Sequence, residues 1–274
     1  MSASNSMELE FSRLLPDHDY RFQMGLWRGN AAEFFHGSNP SILAERNRWV
    51  SESPELYLVA GSESALREFS LLVAEWQLEP HRVQASEEAT PISLLQSVAR
   101  NLEPDFVLLS RNSENRWIVD GGAVCFPSWW SLPEKMGRTI TETHLPVPGL
   151  NSEMEDQIHR FLDRIEPGQC WRRENWGLAR SREFNLHPER RQPRLTPPHH
   201  LNQIWFRVEH QALVKLPRTK ALGFGIRLTI HPLANLVENQ EFRRRFLRAL
   251  ATMPGSMAEY KGIAQVKDFL LAQL

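Results

Sequence analysis

The sequence predicts an α+β fold built on an antiparallel sheet. Amphipathic helical segments occupy the stretch before residue 102. Two pairs of apolar runs follow, each pair closed around a polar turn. A second helical block ends the chain, and nowhere do strands and helices alternate as in a βαβ protein.

Taken in order, residues up to about Pro40 carry Pro16, Gly25, Gly29 and Gly37 and read as mostly irregular, with one short helical piece. Ser41 to Val50 has helical composition. From Ser62 to Gln77, Ala65, Leu66, Phe69, Leu72, Val73 and Trp76 recur at helical spacing behind the cap residues Ser62 and Ser64. Pro91 to Asn101 forms another helix, with proline in its first turn. Phe106–Ser110 and Trp117–Phe126 flank the turn Asn112–Asn115 and predict a hairpin. Pro127 to Pro148 reads as loop. Met154, Ile158, Phe161 and Leu162 place an apolar stripe on a helix over Glu153–Ile165. Residues 183–200, rich in Pro, Arg and His, predict a long surface loop that includes His199 and His200. Gln203–Leu216 and Ala221–Ile230 form a second hairpin turning at Pro217–Lys220. Glu238–Leu250 and the stretch after Met257 are helical, and Arg243, Arg244 and Arg245 lie on a solvated helix face.

Composition narrows the function. The 274 residues are 41% hydrophobic, enough for a substantial core. With 32 basic and 33 acidic residues the net charge is -1, which leaves no global electrostatic footprint for nucleic acid. Two cysteines, Cys125 and Cys170, are too few for a Cys-ligated iron–sulfur cluster or a Cys-rich zinc site, and leave a single disulfide open. Met1–Glu10 has neither the basic nor the apolar region of a signal peptide, and no apolar run is long enough to span a bilayer, so the expected location is the cytoplasm. Gly223-Phe-Gly225 lacks the third glycine and the strand–turn–helix context of a dinucleotide fingerprint. No P-loop, nucleophile elbow or zincin helix is present.

One segment is peculiar: Gly121-Gly-Ala-Val-Cys-Phe-Pro-Ser-Trp-Trp-Ser-Leu-Pro-Glu-Lys-Met-Gly-Arg138, followed by Ile140-Thr-Glu-Thr-His-Leu-Pro-Val-Pro-Gly149. Prolines fix the backbone between aromatic residues and one histidine, a sensible way to present an imidazole to a metal. This string, with Tyr20–Leu26, Arg173-Glu-Asn-Trp176, Arg207–Thr219, Phe224-Gly-Ile-Arg227 and Tyr260-Lys-Gly262, resembles the α subunits of the haem-dependent oxidative N-demethylases over nearly the whole chain. It departs from the family pattern at His210, where arginine is usual, at Gly122, and at Glu103-Pro-Asp105, where a contiguous acidic pair is expected to orient the substrate amine.

The resemblance implies a single domain over residues 1–274: a PAS-like core at about 100–235 with helical additions at both ends. It implies haem b, dioxygen, and oxidative removal of a methyl group from a small secondary amine such as dimethylamine, giving a primary amine and formaldehyde. It also implies electrons from an external flavin or iron–sulfur reductase. His144 is then the axial ligand, with His159 and His231 in reserve. Arg207, Arg227 and Lys135 are the expected propionate partners, because guanidinium pairs bidentately with carboxylate. Glu209, on the strand face of Arg207, would hold the alkylammonium group. Trp129, Trp130 and Trp176 would line the haem or box the amine. A PAS-like haem sensor or carrier without turnover, or a scaffold without haem, are the alternatives.

Overall fold

The computed structural model describes residues 9–36, 39–76, 89–197 and 200–274. A seven-stranded antiparallel sheet organises them. Its strands are β1 (Trp27–Gly29), β2 (Leu58–Val59), β3 (Asp105–Arg111), β4 (Trp117–Ala123), β5 (Cys170–Ala179), β6 (Trp205–Lys215) and β7 (Leu222–Pro232), in the order β1-β5-β6-β7-β3-β4-β2. Both expected hairpins form, β3–β4 and β6–β7. The fold is α+β, as the sequence indicates.

β5 had no counterpart in the sequence pattern. The run Arg172-Arg-Glu-Asn175 breaks the apolar alternation that marks a strand, yet β5 pairs along its length with β6. Tertiary pairing overrides local propensity here. Residues 127–148, expected as loop, contain the helix Ile140–His144, closed by a Thr139–Glu142 capping box.

Three apolar clusters surround the sheet. Helices Pro40–Glu52, Glu63–Trp76 and Pro91–Asn101 pack with Phe34, Phe35, Phe69 and Phe106. The C-terminal helix Gln240–Thr252 brings Phe242 and Phe246 against Trp176 and Phe206 of β5 and β6. Helix Leu150–Arg164 covers the opposite face, packing Leu162 with Val107, Leu109, Trp117 and Leu213. Gly225 is required by this packing: a Cβ there would lie 2.6 Å from the Phe35 ring and 2.7 Å from Phe34. The Gly-Phe-Gly run therefore serves sheet–helix contact, in keeping with its exclusion as a nucleotide site. Gly122, a departure from the family string, has φ +141° and a would-be Cβ 2.2 Å from the Phe106 carbonyl oxygen, so only glycine fits.

Among the described residues no helix is long and apolar enough to cross a membrane. Cys125 and Cys170 are both buried and unpaired. His200 is exposed, while His199 lies outside the described residues.

Candidate functional site

β5 and β6 set the site. Arg173 pairs with Gln211, Asn175 with Glu209 and Gly177 with Arg207, so the alternating side chains Arg173, Asn175, Arg207, Glu209 and Gln211 share one sheet face. Glu209 Oε2 accepts hydrogen bonds from Gln211 Nε2 at 3.0 Å and Asn175 Nδ2 at 3.3 Å. Its Oε1 has no partner among the described residues. Three cations feel this carboxylate: Arg173, Arg207 and Lys261.

Helix Ile140–His144 brings His144 to the same place. Burial, together with the Arg173 and Lys135 charges nearby, pushes the His144 pKa down to about 4, so the ring is neutral through the physiological range. Neither ring nitrogen has a hydrogen-bond partner among the described residues. Lys135 Nζ reaches the Thr143 carbonyl at 3.4 Å, and burial lowers its pKa. Arg173 is equally uncommitted. Its Nε is buried without a partner, and burial lowers its pKa against the opposing pull of Glu209. Thr143 Oγ1 and Asn151 Oδ1 are further buried atoms lacking partners.

The other expected residues fall into distinct places. Arg207 stitches loops together, donating from Nη1 to the Glu183 carbonyl at 2.5 Å and from Nη2 to Phe184 at 2.9 Å. Its Nε stays buried and unpartnered, and burial brings its pKa down to about 10. Trp129 has a left-handed backbone, φ 68°, and the Arg194 guanidinium lies 3.7 Å from its ring centroid. A bulky residue in that region is rare and marks a segment held by its surroundings. Trp176 points to the other face, stacked on Phe206 at 5.5 Å; its ring belongs to the core. Its carbonyl and the face of its ring hold Lys261, whose Nζ lies 2.7 Å from that oxygen and 4.6 Å from the ring centroid.

Arg227 also lies on the far face, alternating with Ile226, which is paired to Gln211. Its guanidinium is committed to Glu103 at 2.6 Å and to the carbonyls of Phe34 and His36. Glu103 additionally accepts the Asn39 amide at 2.6 Å. Asp105 accepts Arg46 at 2.5 Å and the amides of Cys125 and Phe126 at 2.8 and 2.9 Å. Both acids of the Glu-Pro-Asp departure are thus taken by structural partners, and neither is free to orient an amine. His159 bonds Thr141 at 3.0 Å, and His231 bonds Thr229 at 3.0 Å on the far face.

Sequence reasoning did not single out Arg173, Asn175, Gln211 or Lys261, although each stands inside a quoted motif. Two cavities, of about 360 and 300 Å³, adjoin the sheet, and neither is lined by His144. The larger is lined by Phe161 and Trp171, the latter on the strand face of Arg173.

A haem needs an axial ligand and cationic partners for two carboxylates. A neutral imidazole with both nitrogens unbonded, beside a buried guanidinium whose Nε has no partner, fits that requirement. His144 would supply the ligand, and Arg173 and Lys135 would meet the propionates. The model of the family described as haem-dependent oxidative N-demethylase, alpha subunit-like, matches residues 51–271, which span helix Glu63–Trp76, strands β2 to β7 and most of the C-terminal helices. The chain belongs to this family of haem-dependent oxidative N-demethylase alpha-subunit-like proteins.

Proposed function

We propose that this chain is the haem-binding subunit of an amine monooxygenase, with haem b on His144 in a PAS-like core. The observation that carries it is that the unbonded His144 imidazole lies within the field of Arg173, whose buried Nε has no partner and which shares the face of Glu209. When bound, the haem supplies activation of dioxygen. The balance for a secondary amine is RNHCH3 + O2 + 2e− + 2H+ → RNH2 + CH2O + H2O, dimethylamine being the simplest case. The electrons come from an external flavin or iron–sulfur reductase. Membership in an alpha-subunit family, which implies partner subunits, supports that supply.

The protein's own part is binding and orientation. Glu209 Oε1 accepts a hydrogen bond from the substrate ammonium, while Asn175 and Gln211 hold the carboxylate by its other oxygen. Arg207 fixes the loop around Ser128, to which Nη2 donates at 3.5 Å, and so the neighbouring Trp129. Arg173 and Lys135 would neutralise the haem propionates. Arg227 and the Trp176 ring have no part in this scheme.

The test is the absorption spectrum of protein expressed with haem supplementation, beside His144→Ala. A Soret band that shifts or disappears in the variant supports the assignment. A band indifferent to the variant moves the ligand to another histidine, and no band in either protein ends the monooxygenase reading. With a band present but no formaldehyde from any secondary amine under reducing conditions, a haem sensor or carrier replaces it.

A further inference from the structure

The cavity of about 360 Å³ opens at the C-terminal end of helix Leu150–Arg164 and takes in none of the residues assigned to haem or amine. Its apolar lining is Met24, Ile165, Phe161 and Trp171, the last two in edge-to-face contact at 5.6 Å. Arg160 and Arg164, one helical turn apart, supply its charge, and no acidic residue among the described residues lines it. Neither guanidinium has a carboxylate within 4 Å among the described residues; Arg160 bonds only the Asp156 carbonyl of its own helix, at 3.1 Å. A third, Arg28 of β1, lies 4.4 Å from the Trp171 ring centroid, again without an ion pair among the described residues. Three acids of the helix are committed or remote. Asp163 accepts from Arg111 and Trp117, Glu155 accepts from Thr141, and Glu153 is in the first turn, near Tyr20. Asp156 and Glu166 are exposed but line none of the cavity.

Methionine, aromatic rings and arginine are the residue types enriched at the centre of protein–protein contacts, where carboxylates and lysine are depleted. All three arginines are exposed, and guanidiniums without counter-ions around an apolar floor complement the acidic face of a partner. The position matters as much as the chemistry. Trp171 and Arg173 alternate on one face of β5, so the cavity and a guanidinium proposed for a propionate stand about 7 Å apart along the strand. A partner seated there stands beside the residues proposed to hold haem.

We propose that this cleft is where the electron donor docks: an acidic electron-transfer protein whose carboxylates meet Arg28, Arg160 and Arg164 and whose apolar contact rests on Phe161 and Trp171. This rests on the haem function proposed above. In each encounter one electron passes from the reduced carrier to the ferric haem, leaving ferrous haem and oxidised carrier.

The probes are two small acidic carriers, a plant-type [2Fe–2S] ferredoxin and a flavodoxin. Titration calorimetry at low ionic strength measures the affinity of the oxidised carriers for the oxidised, haem-loaded protein. Anaerobic stopped-flow absorbance measures how fast the reduced carriers reduce its haem. Arg160→Glu/Arg164→Glu is expected to weaken binding and slow reduction by about tenfold or more, with the Soret band unchanged. Arg28→Glu, on a different element, should lower both by about threefold. Added salt should slow the parent reaction and leave that of the double variant nearly flat. Arg243→Glu/Arg244→Glu makes the same change of net charge on the C-terminal helix, across the sheet, and should stay within about twofold of the parent. Equal effects of the two double variants overturn the proposal. So do unchanged rates and affinities in Arg160→Glu/Arg164→Glu, or failure of both carriers to bind and reduce a parent protein that shows a Soret band. Absence of a Soret band in the parent would instead overturn the haem function itself.

Discussion

Arg173 and Arg227 are the same residue type in the same sheet, and they differ in every respect that decides a role. Arg227 is 13% exposed and closed on all sides: a carboxylate and two carbonyls take its donors. Arg173, on the other face, has a buried Nε with no partner and only a distant carboxylate. A desolvated guanidinium is costly unless it is paired, so a fully partnered one belongs to the fold and an unpartnered one marks a place where something else binds. Arg46 with Asp105 and Arg227 with Glu103 are buried charges matched in this way.

The strongest way to break this contrast is at Arg46, fully buried and bonded to Asp105 and the Ala99 carbonyl. Arg46→Gln leaves a buried carboxylate uncompensated and should cost about 3–5 kcal/mol in chemical denaturation. Arg227→Gln should cost somewhat less, about 2–4 kcal/mol, with haem uptake per folded molecule unchanged. A fall in haem affinity there would return Arg227 to the binding site. Arg173→Gln is the mirror image: stability of the haem-free protein within about 0.5 kcal/mol of the parent or slightly higher, because an unpaired desolvated charge is removed, but haem affinity down about tenfold. Equal losses of stability in the two arginine variants would erase the distinction between them. The smallest effect is a pH dependence. The folded His144 pKa, about 4, lies below its ordinary value of 6.5. Between these values the unfolded chain binds the proton that the folded ring refuses, so stability of the haem-free protein falls as pH drops through this window. His144→Gln should flatten that limb of the denaturation profile and leave the curve above pH 7 in place.

Much of this was legible in the sequence, for physical reasons that vary with the element. The two hairpins carry the period-2 alternation of strands with one buried face, and the long helices carry their apolar stripes. β5 carries neither, because its centre places the polar Arg173 and Asn175 on one face and Glu174, bonded to His210, on the other. His144 became a candidate through the family resemblance, and Glu209 through the strand period that places it on the face of Arg207. Arg207 and Arg227 look alike in sequence, as arginines on predicted strands; only register tells that they face opposite sides. Arg173 and Lys261 were hidden because a lone arginine or lysine reads as a solvated charge until burial is known.

Lys261 has a consequence for association as well. β1 covers β5 only from Cys170 to Arg172, so β5 from Arg173 onward is a sheet edge without a strand neighbour among the described residues. Such an edge is a template on which a second copy can add a strand, and a charged side chain laid across it is one of the ways proteins block that growth. By occupying the Trp176 carbonyl, Lys261 ties the C-terminal segment over the edge. Shortening the chain before Tyr260 would therefore uncover a strand ready to pair, and the first sign of damage would be aggregation rather than lost haem.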